Sequence, residues 1–232
     1  MDANPLSSGI YSVSQAARLL NASPAKIRGW LVGHHDKKQG PIIKREISLL
    51  EHSIVLSFIN LIEARFISAF SKHGIPVVSI RAMADEAKRI LNSDHPFASK
   101  AIFGADKKSI FIIGEQGRGR KRPRHLYDLR GRNVAMYDIL YREIEAEIVY
   151  GPSGLAQEWY PRKDIAPAVV LHPKLAFGQP SLRDYGVPTS TLYATYLSER
   201  KNAAAVARWF DVPIGAVQQA IKFEEEMSQT LH

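Results

Sequence analysis

The stretch that decides the fold is IYSVSQAARLLNASPAKIRGWLV, residues 10 to 32. Ser12 is a typical N-cap, and Gln15, three residues later, completes a capping box at the start of a helix. After a short turn, Ser23 and Pro24 are suited to the N-cap and first position of a second helix, where the missing proline N–H costs nothing. Two short helices joined by a tight turn are the pattern of a helix-turn-helix.

Each helix of this stretch has an apolar face. The residues expected to face inward are Val13, Ala16, Ala17 and Leu20 on the first helix and Ile27, Trp30 and Leu31 on the second. The second helix turns outward the small or cationic residues Ala25, Lys26, Arg28 and Gly29. Such a surface fits a phosphate-lined groove, although a helical hairpin within a core is the alternative. The pattern resembles the N-terminal module of MerR-like and excisionase-like DNA-binding proteins.

The composition predicts a folded protein that associates with polyanions. The chain has 232 residues, 45% of them hydrophobic, and a formal net charge of +8 with an isoelectric point near 9.6. A basic protein gains affinity for nucleic acid by neutralising phosphates and releasing counterions. The absence of cysteine excludes disulfides, thiolate metal sites and cysteine nucleophiles. We expect a cytoplasmic location and no membrane association, because no signal peptide or apolar run of about 20 residues is present.

The stretch after the first helix-turn-helix predicts a β-wing. Residues 33 to 47 read GHHDKKQGPIIKREI, a polar loop that returns through Ile42 and Ile43. The cations around this pair would contact the sugar-phosphate backbone of DNA, and a solvated loop is the alternative. The adjacent His34 and His35 have only Asp36 near them, which does not make a convergent ligand set, so we expect no metal.

The candidate DNA-binding residues are polar or cationic side chains in two parts of the sequence. The N-terminal part contributes Ser14, Gln15, Ser23, Lys26, Arg28, Lys37, Lys38, Lys44 and Arg45. The middle contributes Arg118, Arg120, Lys121, Arg122 and Arg124. The glycines of this basic run match neither a dinucleotide loop nor a P-loop, and no nucleophile elbow or His-Glu-x-x-His motif occurs. We therefore expect no cofactor and no enzymatic activity.

The stretch from Ser53 to Lys72 is apolar on several sides and predicts a central core helix. We expect this helix to form a dimer contact as well, with Phe58 and Phe66 facing the second copy. A shorter amphipathic helix is predicted over Val77 to Leu91, with its cations outward; these are Arg81, Lys88 and Arg89.

The middle of the chain has the pattern of a small α/β segment. It predicts strands at Ser109–Ile113 and His125–Leu129, a helix at Val134–Glu147, a hairpin at Ile148–Tyr160 and a linker at Pro161–Pro167. The expected fold class is mainly α with a small β segment (α+β). The expected domains are a winged helix-turn-helix region with the long core helix at 1–92, an α/β segment with a basic hairpin at 93–166, and a three-helix domain at 167–232.

The C-terminal region predicts a second helix-turn-helix, which turns at Asp211–Pro213. Its expected inward residues are Ala204, Val206, Ala207, Phe210, Ile214, Val217, Ile221 and Phe223. The motif residues before it are Pro173, Gly178, Gln179, Pro180, Val187, Pro188 and Thr189. These motifs, followed by a tri-helical tail, resemble a small antitoxin domain of unknown function that is often encoded beside PIN-type toxin genes. The whole arrangement is similar to a subgroup of VapB-type antitoxins.

This resemblance implies a type II toxin–antitoxin role. The protein would neutralise a PIN-type ribonuclease toxin, and as a homodimer it would bind its double-stranded operator DNA and repress its own operon. Two alternatives remain from the sequence. One is a protein-binding adaptor whose helix-turn-helix units serve only packing, and the other is a solitary MerR-like transcriptional regulator.

Overall fold

The computed structural model describes residues 9–33, 40–47, 53–100 and 142–229, and these are mainly helical with small sheets, as the sequence predicts. The helices are α1 (Val13–Leu20), α2 (Pro24–Val32), α3 (Phe58–Lys72), α4 (Val77–Leu91), α5 (Thr189–Ser198), α6 (Ala203–Phe210) and α7 (Ile214–Gln229). The strands are β1 (Ile10–Ser12), β2 (Val55–Ser57), β3 (Ile148–Tyr150), β4 (Ala156–Trp159), β5 (Val169–Val170) and β6 (Ser181–Leu182). They pair as β1–β2, β3–β4 and β5–β6. Over the described ranges, no helix has the length and apolar character needed to span a membrane.

The chain is divided into two compact units. The first unit takes its described residues from 1–24, 46–58 and 157–232, and the second takes them from 25–45 and 59–156. Each unit is discontinuous in sequence, unlike the three consecutive regions of the prediction. The boundary after Pro24 places α1 in the first unit and nearly all of α2 in the second.

The first unit contains a two-stranded antiparallel sheet that the sequence pattern did not predict. Its register is Ile10 with Ser57, Tyr11 with Leu56, and Ser12 with Val55. The helix expected from Ser53 therefore begins only at Phe58, because residues 55–57 are extended and pair with β1. All three residues of β2 are buried. A short, continuous apolar run fits a buried strand as well as a buried helix, so the sequence pattern could not distinguish the two.

The predicted capping box at the start of α1 is confirmed. The Gln15 N–H donates to Ser12 Oγ at 3.1 Å, and the Ser12 N–H donates to Gln15 Oε1 at 2.8 Å. Asn21 ends the helix in the left-handed conformation, with a φ of 47°. The expected inward residues Val13, Ala16, Ala17 and Leu20 are all buried.

Ser12→Ala is expected to lower the free energy of unfolding by about 1 kcal/mol, because one N–H of the first turn loses its acceptor. For a chain of this size, the melting temperature should fall by about 2–4 °C per kcal/mol. Ser14→Ala is the matched control, since Ser14 is exposed on the same helix and takes no part in the capping box. Equal melting temperatures for the two variants would show that the cap contributes nothing.

The C-terminal three-helix arrangement of the prediction is confirmed. The helices α5, α6 and α7 contact one another, and α6 and α7 are joined by the turn at 211–213. Val206, Val217, Ile221 and Phe223 are buried as expected, and Ala207 and Phe210 are half-buried. Two inward assignments are wrong: Ala204 is exposed, and Ile214, the first residue of α7, is 47% exposed. Ala205 is buried beside Val206 in place of Ala204.

The predicted linker at 161–167 is a packed series of turns. Pro161 and Ala166 are buried, and the Ala166 N–H donates to Arg162 O at 2.8 Å. Arg162 Nε lies 3.0 Å from Glu226 Oε1 on α7. These contacts fix the segment within the first unit, so composition alone misidentified it as a linker.

The core of the second unit is built around α3. Phe66 stacks on Phe97 with ring centroids 5.6 Å apart, and Phe70 meets Phe97 edge-on at 6.0 Å. Phe66 is fully buried by the single chain, and Phe58, in the first unit, is 1% exposed. The expected dimer contact through these two residues is therefore wrong, because neither has surface left for a second copy.

The elements from α4 to β4 match the predictions where the structure describes them. α4 has the predicted bounds, and the hairpin forms as β3 and β4. In its turn, the Gly151 N–H donates to Leu155 O at 2.9 Å. Residues 142–147 are helical as expected. The predicted strands Ser109–Ile113 and His125–Leu129, and the start of the Val134–Glu147 helix, lie outside the described residues.

Candidate nucleic-acid interface

Helix α2 has the two faces that its sequence predicts. Ile27, Trp30 and Leu31 are buried, whereas Lys26 and Arg28 are exposed. Gly29 was expected outward but is buried. Arg28 has no ion pair within the described residues, so its guanidinium is available to an external anion.

The segment after α2 secures the end of the helix. Gly33 takes a left-handed φ of 84°, and its N–H donates to Gly29 O at 3.0 Å. The N–H groups of Ile42 and Ile43 then both donate to Trp30 O, at 2.9 and 3.1 Å. Carbonyls of the last helical turn need such partners from outside the helix. The described residues 40–47 form no strand, so the expected β-wing is not found there.

Two cations of α4 hold this segment in place. Arg81 Nη1 donates to Gly40 O at 2.6 Å and to Pro41 O at 3.2 Å, and Lys88 Nζ donates to Ile42 O at 3.1 Å. Arg81 and Lys88 were expected to face outward, but they bind backbone carbonyls of their own unit. Arg89 is exposed as expected, and its guanidinium pairs with Glu86 at 2.5 Å.

Lys44 and Arg45 have different environments. Lys44 Nζ lies 2.5 Å from Asp94 Oδ2, and the two side chains are 61% and 60% exposed. This hydrogen bond lowers the pKa of Asp94 below its usual value. An exposed ion pair of this kind contributes little to stability, so Lys44 can exchange Asp94 for a phosphate at small cost. Arg45 is half-buried and thus less accessible.

The other candidate residues fall into two groups. Ser14, Gln15 and Ser23 are exposed and belong to the first unit, and the capping box already uses the Gln15 side-chain oxygen. The remaining candidates lie outside the described residues; they are Lys37, Lys38, Arg118, Arg120, Lys121, Arg122 and Arg124. Within the second unit, Lys26 and Arg28 are both exposed on α2, one on each flank of the buried face that contains Ile27.

A buried ionisable pair in the second unit was not predicted. Glu63 on α3 is 2% exposed, and its Oε2 lies 2.9 Å from His95 Nδ1. Burial raises the pKa of Glu63, and the hydrogen bond with His95 opposes that shift. The sequence did contain a signal for this pair, namely a glutamate within the apolar run SFINLIEARF. A carboxylate buried in such a run requires a partner. The pair joins α3 to the chain that follows α4.

The motif residues near the C-terminus have a structural role in the first unit. Gly178 O accepts a hydrogen bond of 2.7 Å from the buried Tyr11 hydroxyl of β1. Pro180 O accepts the Thr189 N–H at 2.9 Å, which connects the Gly-Gln-Pro motif to the Val-Pro-Thr motif. These contacts explain the glycine and threonine by packing, independently of any partner.

Comparison with known proteins shows a likeness in fold. A solved crystal structure of Rv2018 from Mycobacterium tuberculosis superposes with a TM-score of 0.65 at 21% sequence identity. The match covers 94% of this chain and 98% of that one. No protein-family model and no curated protein matches the chain. The chain is thus similar to Rv2018 in its mainly helical α+β fold.

Proposed function

We propose that this protein is a DNA-binding antitoxin of a type II toxin–antitoxin system, which acts in the cytoplasm and represses its own operon as a dimer. The observation that supports DNA binding most directly is Arg28, an exposed arginine with no ion pair among the described residues. Lys26 is exposed on the same helix, and the formal charge of +8 gives the chain a general attraction to phosphates.

The proposed contact is α2 lying in the major groove. Ala25 adds little bulk to the exposed face, while the buried Ile27 and Trp30 hold the opposite face in the second unit. A major groove about 12 Å wide admits an α-helix, and arginine is the side chain most often used to read guanine there. Lys26 would then contact the backbone and position the helix without specifying a sequence.

Arg28→Ala is expected to weaken binding to the chain's own upstream DNA by about 1–3 kcal/mol if Arg28 reads a base. Fluorescence anisotropy with operator and random duplexes at fixed salt measures the effect. A uniform loss on both duplexes would mean that Arg28 contacts phosphate only. Arg89→Ala is the control, since Arg89 is exposed in the same unit but already pairs with Glu86. Unchanged binding of Arg28→Ala to both duplexes would refute the assignment.

Toxin binding is proposed for the exposed face of α6. Trp209 is 72% exposed there, beside the exposed Arg208. Tryptophan and arginine are the residue types most enriched among interface hot spots, and arginine pairs well with carboxylates of a partner. A large aromatic side chain with so much surface in water gains free energy when a partner covers it.

Trp209→Ala is expected to weaken association with the product of a neighbouring PIN-type toxin gene about 30-fold or more, because hot-spot truncations cost about 2 kcal/mol or more. The Trp209→Ala variant should still bind DNA, whereas the Arg28→Ala variant should lose DNA binding and retain toxin binding. Pull-down from a co-expression strain, together with toxin ribonuclease assays, separates the two activities. If the Trp209→Ala variant still neutralised the toxin fully, the α6 face would not be its binding surface.

A further inference from the structure

The first unit contains a cleft of about 190 Å³ that the proposed function does not use. Its walls come from β1, α1, the Gly-Gln-Pro motif, α5 and α7, all within that unit. Leu19, Phe223 and Met227 give it an apolar surface, and Arg18 and Glu224 give it one positive and one negative charge. Small-molecule sites typically combine an apolar lining with a few polar groups that fix orientation.

Arg18 is the positive group of this cleft and lacks an internal partner. Its Nε is buried and makes no hydrogen bond, and its guanidinium has no ion pair within the described residues. A buried N–H without an acceptor is uncommon in folded proteins and lowers stability, so its presence requires an explanation. A carboxylate that enters the cleft would supply both the acceptor and the opposite charge.

Glu224 is the negative group, and the fold holds it in place. The buried Thr189 hydroxyl donates to Glu224 Oε1, and the Thr189 backbone N–H is fixed on Pro180 O. Glu224 Oε2 has no hydrogen bond within the described residues and remains an acceptor for an N–H donor. The cleft thus offers one cation and one anion, so a ligand with both charges would match it better than a simple anion.

The polar rim favours a ligand carboxylate on the Arg18 side. Gln15 uses its side-chain oxygen in the capping box, which leaves its amide N–H groups as donors to the cleft. Gln179 and Ser190 also line the cleft, and their side chains make no hydrogen bond within the described residues. Amide and hydroxyl donors that line the same cleft as a guanidinium match the oxygens of a carboxylate.

We propose that this cleft binds a free α-amino acid with an apolar side chain. The carboxylate pairs with Arg18, the ammonium pairs with Glu224, and the apolar side chain lies against Leu19, Phe223 and Met227. The size is suitable, because an apolar cavity of about 150 Å³ holds a benzene molecule. The proposal goes beyond the DNA and toxin contacts, since none of these residues belongs to the exposed faces of α2 and α6.

The first experiment uses the unmodified full chain and three ligands that share a phenyl group and differ in which charged groups they carry. L-Phenylalanine carries both charges, 3-phenylpropanoate lacks the ammonium, and 2-phenylethylamine lacks the carboxylate. Isothermal titration calorimetry without DNA is expected to show phenylalanine binding at least tenfold more tightly than either analogue. Equal affinities for the three ligands, or no heat from phenylalanine up to its solubility limit, would overturn the proposal.

Two variants then assign each charge. Arg18→Met keeps an unbranched side chain without the charge. It should weaken the binding of phenylalanine at least tenfold and leave the affinity for 2-phenylethylamine unchanged. Glu224→Gln should weaken the binding of phenylalanine and leave the affinity for 3-phenylpropanoate unchanged. Lys222→Met is the control, since Lys222 is exposed on α7 and does not line the cleft.

The ligand series remains decisive if a variant fails to fold, because it needs no substitution. Chemical shifts of the Met227 methyl group provide a second measurement, and they should move on addition of phenylalanine. Full affinity in a folded Arg18→Met variant would contradict the proposal. Because no DNA or toxin is present in these measurements, a failure of the proposed function would not alter their outcome.

Discussion

Phe66→Ala is expected to lower the free energy of unfolding by about 3–5 kcal/mol, the usual range for removing a fully buried aromatic side chain. Phe66 has no exposed surface, and it loses both the stacked contact with Phe97 and the edge contact with Phe70. Because the surrounding helices relax only partly, a cavity remains where the ring was. Urea denaturation followed by circular dichroism measures the change in the midpoint.

Phe177→Ala provides the control for Phe66→Ala. Phe177 is 69% exposed, so its truncation removes little buried surface and should change stability by less than about 0.5 kcal/mol. The experiment also tests what α3 does. A core helix predicts a destabilised protein with an unchanged oligomeric state, whereas a dimer helix predicts a stable monomer. A folded, stable Phe66→Ala monomer would restore the dimer contact that the structure rejects.

The sequence predicted correctly those features that depend on residues close together in the chain. The capping box of Ser12 and Gln15, the restart at Pro24 and the hairpin turn at Gly151 each depend on neighbouring residues, and all are found in the structure. These features depend on backbone hydrogen bonds that span only a few residues. Periodicity likewise placed α4 with its observed bounds.

The errors arise where partners distant in sequence decide the structure. Residues 55–57 form a strand because β1, more than 40 residues earlier, pairs with them. Arg81 and Lys88 look like outward cations in a helical pattern, but the carbonyls of residues 40–42 bind them. The apolar run of α3 does not reveal whether the residues packed against it belong to the same chain or to a second copy. None of these partners can be identified from local spacing.

The exposed residues of the candidate interface were predictable from local spacing, whereas the partners of its side chains were not. The exposure of Lys26 and Arg28 followed from helical periodicity, because the apolar residues at 27, 30 and 31 fix the buried side. The pairing of Lys44 with Asp94, and the cleft around Arg18 and Glu224, join residues far apart in sequence. Periodicity gives the direction of a side chain but not the group it meets.

Gly178→Ala is expected to lower the free energy of unfolding by about 2–5 kcal/mol. Gly178 has a φ of 86°, a left-handed conformation that costs about 1–2 kcal/mol for a residue with a Cβ. The added Cβ would also lie 2.6 Å from the Tyr11 hydroxyl oxygen and 3.1 Å from Gly9 Cα. Tyr11 cannot easily move aside, because it is buried and donates its hydroxyl to Gly178 O. Overpacking of this kind costs about a further 1–3 kcal/mol.

Gly186→Ala separates the two contributions to this loss. Gly186 also has a left-handed φ, of 66°, but a Cβ there would meet no atom within 4 Å. It should therefore show only the backbone cost of about 1–2 kcal/mol. The difference between the two midpoints in urea measures the close approach of β1 to the Gly-Gln-Pro motif. If Gly178→Ala were no worse than Gly186→Ala, Tyr11 would relax freely and the motif glycine would need another explanation, such as contact with a partner.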